Sequence, residues 1–270
     1  MANIGSAFFD LGYMDTLANQ ESPIHRLDPR AKLITTLIFI VAVVSFGKYE
    51  VSALIPFFIF PLVLLLRGNL PLWYLLKKLL LVAPFAILIG MFNPFLDPQP
   101  LLLLGTVPVS GGWISFLSIL LRFALTVGVA LVLIATTGFN GVCMALEKMG
   151  VPNIFAVQLL FLYRYIFVLI DEALRMVHAR SLRTFNKKGM GIHVYGYLVG
   201  SLLFRTMDRA QRIHLAMLSR GFDGEIRLRR PPNFGGKDVR FVLGWATLFV
   251  LLRCYNLPQR LGMLMTGMYS

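Results

Sequence analysis

Asp171–Gly221 reads DEALRMVHARSLRTFNKKGMGIHVYGYLVGSLLFRTMDRAQRIHLAMLSRG. Two charge-rich helical patterns each end in an arginine between small residues, Ala179-Arg180-Ser181 and Ser219-Arg220-Gly221. At helical spacing Arg180 continues the apolar line of Ile166, Ile170, Ala173 and Val177, and Arg220 continues that of Val199, Ala210, Ile213 and Met217. Each cation therefore stands where a hydrophobic stripe runs out, beside small neighbours that let another surface approach. An arginine at a helix end also favours the negative end of the helix dipole, and glycine is a common helix stop, so either tripeptide alone reads as structural. Their pairing points instead to two matched plugs. The flanking Arg175, Arg183, Arg205, Arg209 and Arg212 read as a solvated or lipid-headgroup face. Asp171 to Arg175 and Asp208 to Arg212 have the spacing of supportive pairs.

Outward from these arms the composition is that of a membrane protein. Of 270 residues 57% are hydrophobic and 14% charged, against about a quarter charged in globular domains. The net charge of +13 sits beside long apolar runs and not on a soluble aromatic platform, so it argues for topology and headgroups and against nucleic acid. The two cysteines, Cys143 and Cys254, form neither a disulfide framework nor a zinc pattern. The start is too polar for a signal peptide.

Spans are expected over 31–47, 51–66, 79–92, 113–136 and 241–255. Asp28-Pro29 supplies a cap and first-turn pair for the first of them. Pro56, Pro61 and Pro84 mark bends, and Lys77-Lys78 separates an amphipathic stretch over 70–76 from the third span. Residues 93–112 hold no lysine or arginine, whereas 138–240 hold sixteen; the positive-inside rule places the first outside and the amino terminus in the cytoplasm. Arg122 in the fourth span should face the bundle or a polar cavity, in a structural or a functional role. After Gly138 a short helix over 141–149 ends at Gly150 and Pro152. The apolar run 153–170, with Tyr163-Arg164-Tyr165, could span but is expected to lie along the inner membrane face or to pack on the other spans, and to continue to Arg180. A break at 186–191 precedes the second arm, 194–220, where Gly196 and Gly200 have the spacing that permits close helix crossing. Gly235-Gly236-Lys237-Asp238 lacks the leading glycine and the Ser/Thr of a phosphate loop. The organisation is thus an all-α integral membrane protein of about five transmembrane helices plus a cytoplasmic coupling domain: 1–137, 138–238 and 239–270.

His25-Arg26-Leu27-Asp28-Pro29-Arg30-Ala31-Lys32-Leu33, Phe161-Leu162-Tyr163-Arg164-Tyr165 and the paired tripeptides, the second continuing to Phe222, resemble the transmembrane coupling (T) subunit of energy-coupling factor transporters over nearly the whole chain. Within that family the sequence is most similar to the CbiQ type, which serves cobalt or nickel uptake. Asp15, Ala18 and Val109-Ser110-Gly111-Gly112-Trp113 contribute to the narrower match. The resemblance implies a non-catalytic scaffold in the bacterial inner membrane between two ABC-type ATPases and a CbiM-like substrate-binding subunit, with or without a small accessory subunit. ATP and magnesium would be held by the ATPases, with no cofactor in this chain. Ala179, Arg180, Ser181, Ser219, Arg220 and Gly221 would dock in the ATPases. His25, His178, His193 and His214 are scattered, so any metal ligands belong to the partner. Alternatives are a T subunit serving a vitamin-type substrate subunit, or an autonomous membrane carrier. The chain shows no nucleophile motif or HExxH spacing.

Overall fold

The computed structural model describes residues 12–96, 100–104, 107–183, 192–224 and 234–254. They fall into two compact units: one is chiefly Cys143–Pro231, the other combines Tyr13–Val142 with Pro232–Ser270.

In the second unit, residues 13–18 are helical and lead to α1, Pro29–Val44. Asp28 caps α1 by accepting a hydrogen bond from the Arg30 N–H at 2.9 Å, and Pro29 occupies the first turn, where its missing N–H costs nothing. Helix α2, Val51–Arg67, tightens to a 3-10 turn over Ile55–Phe58, where Pro56 withdraws a backbone donor. Helix α3 runs unbroken over Leu72–Gly90 and carries Pro84 inside it. Lys77 and Lys78 do not delimit it: each ammonium lies over the ring of Trp73 or Tyr74 one turn earlier, at 5.6 and 5.5 Å, so both lysines ride the helix. The lysine-free connection contains an antiparallel hairpin, β1 (Pro100–Leu104) with β2 (Val107–Ser110), an element that the helical reading does not anticipate. Helix α4, Gly111–Lys148, is kinked at Gly138, whose φ of +69° suits only glycine. A Cβ there would lie 3.2 Å from Ala18 and 3.6 Å from Asp15, which brings three sequence-singled residues together. Helix α7, Gly236–Cys254, starts before the span expected over 241–255.

The core of this unit is aromatic and joins α1 and α2 to α7. Phe39 of α1, Phe57 and Phe60 of α2 and Phe249 of α7 are each at most 1% exposed. Phe39 lies 5.0 Å from Phe60 and 5.3 Å from Phe249, and Phe60 lies 4.8 Å from Trp245. Edge-on and tilted rings at these separations add attraction to their buried area.

The first unit contains α5, Asn153–Arg183, and α6, Ile192–Leu218. Ring pairs at helical spacing, Phe161 with Tyr165 tilted at 6.0 Å and Tyr163 with Phe167 edge-on at 5.1 Å, stiffen the apolar half of α5. Among the described residues three helices are long and apolar enough to cross a membrane: Leu72–Gly90, Gly111–Lys148 and Asn153–Arg183. Helix α5, expected along the inner face or packed on the other spans, has the length and composition of a span. Helix α1 has sixteen residues, about 24 Å at 1.5 Å per residue, which is shorter than a hydrocarbon core of about 30 Å. The expected break at 186–191 lies outside the described residues.

Candidate coupling surface and polar nodes

Both tripeptides sit on carboxyl-terminal turns of the first unit. Arg180 and Arg183 belong to the last turn of α5, where orphan carbonyls favour a cation. Ala179 is exposed and Arg180 half-buried. The Ser181 hydroxyl donates to the His178 carbonyl at 2.7 Å, which keeps its side chain folded onto the helix. The Ser219 hydroxyl likewise donates to the Leu215 carbonyl at 2.9 Å.

At Arg220 the cap is defined by the backbone. Gly221 takes φ +77° and donates to the Leu218 carbonyl, while the Phe222 N–H reaches back to the Met217 carbonyl, both at 3.0 Å. This is a Schellman closure: the left-handed glycine turns the chain and Phe222 follows as the apolar residue that such a cap uses. Arg220 is therefore the exposed residue at a fixed helix terminus. The sequence reading of Gly221 as a stop is the local half of this geometry.

A cleft of about 920 Å³ opens between α5 and α6, from Gln158 to Glu172 on α5 and from Arg205 to Met217 on α6, with Phe222 just past its end. At its edge the Arg205 Nη1 and Glu172 Oε1 atoms lie 2.6 Å apart. That cross-helix pair replaces the expected local ones: among the described residues neither Asp171 and Arg175 nor Asp208 and Arg212 form an ion pair within 4.0 Å. A Cβ at Gly196 or Gly200 would meet nothing within 4 Å, so no helix crossing within the described residues uses that spacing.

Arg122 stands in the other unit, away from either tripeptide in the chain. Its Nη2 donates to the Gly47 carbonyl at 2.5 Å, just past the end of α1. Arg253 of α7 donates to the Ser45 carbonyl at 3.1 Å and lies 4.5 Å over the Phe46 ring. Two arginines from two helices thus meet the negative end of α1, which gives Arg122 partners for a costly intramembrane charge.

The opposite end of α1 holds a node that the sequence reading missed. Asp238, at position N3 of α7, accepts from the Gly235 N–H at 2.9 Å and from the Asp28 N–H at 2.8 Å, so one buried carboxylate closes the starts of α7 and α1. Lys32, 5% exposed, donates to the Thr136 carbonyl at 2.9 Å and is attracted by both Asp238 and Asp28. His25 accepts or shares a proton with the Ser22 hydroxyl through Nδ1 at 2.6 Å. Burial, then the Lys32 charge, holds its pKa below the usual 6.5. Among the described residues no three His, Cys, Asp or Glu side chains gather as a metal site.

The three long apolar helices are those of a multi-pass membrane protein. A family model described as CbiQ, cobalt transport protein, matches residues 20–231. An uncharacterized protein of Methanocaldococcus jannaschii is 33% identical over 86% of this chain and 82% of its own length. The energy-coupling factor transporter transmembrane protein EcfT of Heliobacterium modesticaldum is 28% identical over 86% of this chain and 92% of its own. A protein of Methanocorpusculum labreanum named as a fused cobalt transport protein, CbiMQ, is 32% identical over 33% of this chain and 15% of its own. This chain belongs to the CbiQ cobalt transport protein family.

Proposed function

We propose that the chain is the non-catalytic coupling subunit of an ATP-driven importer for cobalt or nickel ions, converting ATPase closure into movement of a substrate-capturing membrane subunit. Arg180 and Arg220 each enter a groove on one of two ABC-type ATPases. A change in ATPase separation then changes the angle between α5 and α6. The observation that carries this is the pair of carboxyl-terminal helix ends with matched cations, one fixed by the Gly221–Phe222 closure. A cation held on a rigid terminus makes short charge-assisted bonds in a partly dry groove, and its removal strands the groove's own polar groups. The family's description as a cobalt transport protein supports the cargo, and the name of the fused CbiMQ relative supports a CbiM-like neighbour. Cobalt or nickel ligands belong to that neighbour. The amino terminus and the arms face the bacterial cytoplasm, in accord with the lysine- and arginine-free 93–112 connection.

The test is co-purification of a tagged chain from membranes that also express candidate ATPases. The chain should bring down two ATPase copies, and Arg180→Ala/Arg220→Ala should lose them while remaining membrane-inserted. Full retention of the ATPases by the double variant excludes the arginines as the couplers.

A further inference from the structure

The chain leaves the second unit after Val142 and returns to it at Pro232, so the segment that carries both arms hangs on two stems, 136–142 and 232–238. Each stem has a backbone pivot. Gly138 breaks α4 at φ +69°, and Gly235-Gly236 leads into α7; glycine leaves both places the widest choice of backbone angles. The first turn of α1 grips both stems. On the first, Lys32 Nζ donates to the Thr136 carbonyl at 2.9 Å, two residues before the kink, and also to the His25 carbonyl at 3.4 Å. A Cβ at Gly141 would lie 3.7 Å from Pro29 Cγ, so the start of α1 also lies against this stem. On the second, Asp238 accepts from the Asp28 N–H at 2.8 Å and from the Gly235 N–H at 2.9 Å. Asp28, Lys32 and Asp238 are each at most 6% exposed, and the Lys32 charge is attracted by both carboxylates. The cation bonded to one stem therefore faces the anion of the other. Apolar packing would hold α1 in the bundle at lower cost, because burying three charges is expensive. What packing does not supply is a directional tie to particular backbone groups of two separate stems, which hydrogen bonds do.

We propose that Lys32 and Asp238 are positioning residues for coupling: they clamp the exit and return stems of the arm segment onto one turn of α1, so that arm movement turns the bundle instead of being lost in the glycine pivots. The purpose of the clamp rests on the coupling reading above. The clamp itself is observable without the ATPases.

Nitroxide labels at exposed Asn140 and Lys237, one on each stem, read the clamp in the full chain in nanodiscs. Asn140→Cys/Lys237→Cys supplies the attachment points, with Cys143→Ala and Cys254→Ser removing the native thiols. The otherwise unchanged chain should give a narrow distance distribution between the labels, and Lys32→Met and Asp238→Ala should each lose it. Phe249→Ala empties the aromatic core without removing either stem's hydrogen bonds, so it should keep the narrow distribution. A narrow distribution in Lys32→Met, or equal broadening in Phe249→Ala, overturns the clamp. Hydrogen exchange needs no variant that must fold: the Asp28 and Gly235 amides should exchange no faster than those of the bundle helices, and fast exchange at either overturns it too. In the whole transporter, Lys32→Met should keep the ATPases bound and hydrolysing while cobalt imported per ATP falls on the order of tenfold, as loss of a hydrogen bond from a charged group implies. Import and hydrolysis that fall in proportion, as they do when less protein is folded, overturn the positioning role. A wild-type chain that captures no ATPase sinks the coupling reading instead, and the label distances then decide the clamp alone.

Discussion

Asp238→Ala should unfold the bundle more readily than any change on its exposed surface. The carboxylate is 6% exposed and accepts two backbone N–H groups, those of Gly235 and Asp28, at 2.9 and 2.8 Å. Alanine strands both donors in a site with little water, at about 1–3 kcal/mol each, for a total of about 2–6 kcal/mol. It also removes one of the two carboxylates that attract buried Lys32. Asp238→Asn keeps one carbonyl acceptor and should cost about half as much. Trp245 lies 4.8 Å from Phe60 in the aromatic core, so its fluorescence reports bundle unfolding once Trp73 and Trp113 are changed to phenylalanine. Heating the detergent-solubilised chain should rank wild type above Asp238→Asn, and that above Asp238→Ala. Exposed Glu21→Ala in the same unit should stay within about 0.5 kcal/mol of wild type. The account of the node is refuted if Asp238→Ala melts with Glu21→Ala, or if asparagine is as costly as alanine.

Three further outcomes follow from the same geometry. Phe249→Ala should destabilise the bundle by about 3–5 kcal/mol, because its ring is 1% exposed between α1 and α2; the Trp245 melt reads it, and a loss below about 1 kcal/mol contradicts the packing. His25 is held below its usual pKa of 6.5 by burial and by Lys32, so neutral imidazole stabilises the fold. That contribution is present above pH 6.5 and lost as pH falls below it, and His25→Gln should flatten the melting temperature over that window. Gly221→Ala should cost about 1 kcal/mol in the left-handed turn at φ +77° and weaken ATPase capture more than helicity, read by co-purification beside circular dichroism.

What the sequence disclosed was local, and what it hid was distant. Asp28-Pro29 announced the start of α1, Gly138 the kink in α4 and Gly221 the close of α6, because caps and left-handed turns are written in one or two residues. Lys77-Lys78 misled: two charges in an apolar run read as a border, whereas the rings of Trp73 and Tyr74 one turn away accept both. The β1–β2 hairpin was hidden because its strands are five and four residues long, too short for alternation to stand out. The Asp28–Asp238 bond spans 210 positions, and no periodicity connects residues so far apart. The same holds for Glu172 with Arg205, where nearer partners at helical spacing looked sufficient.

The two arms therefore end in carboxyl-terminal cations, one of them held by the Gly221–Phe222 closure, and the bundle is tied at both ends of α1 by hydrogen bonds from charged side chains elsewhere in the chain. The claim that the cations transmit ATPase motion is tested most directly by cobalt uptake into cells that express the whole transporter. Arg180→Ala/Arg220→Ala should abolish ATP-driven uptake, whereas Arg175→Ala on the exposed basic face of α5 should leave most of it. Uptake by the double variant at the wild-type rate, with equal amounts of chain in the membrane, would contradict the account.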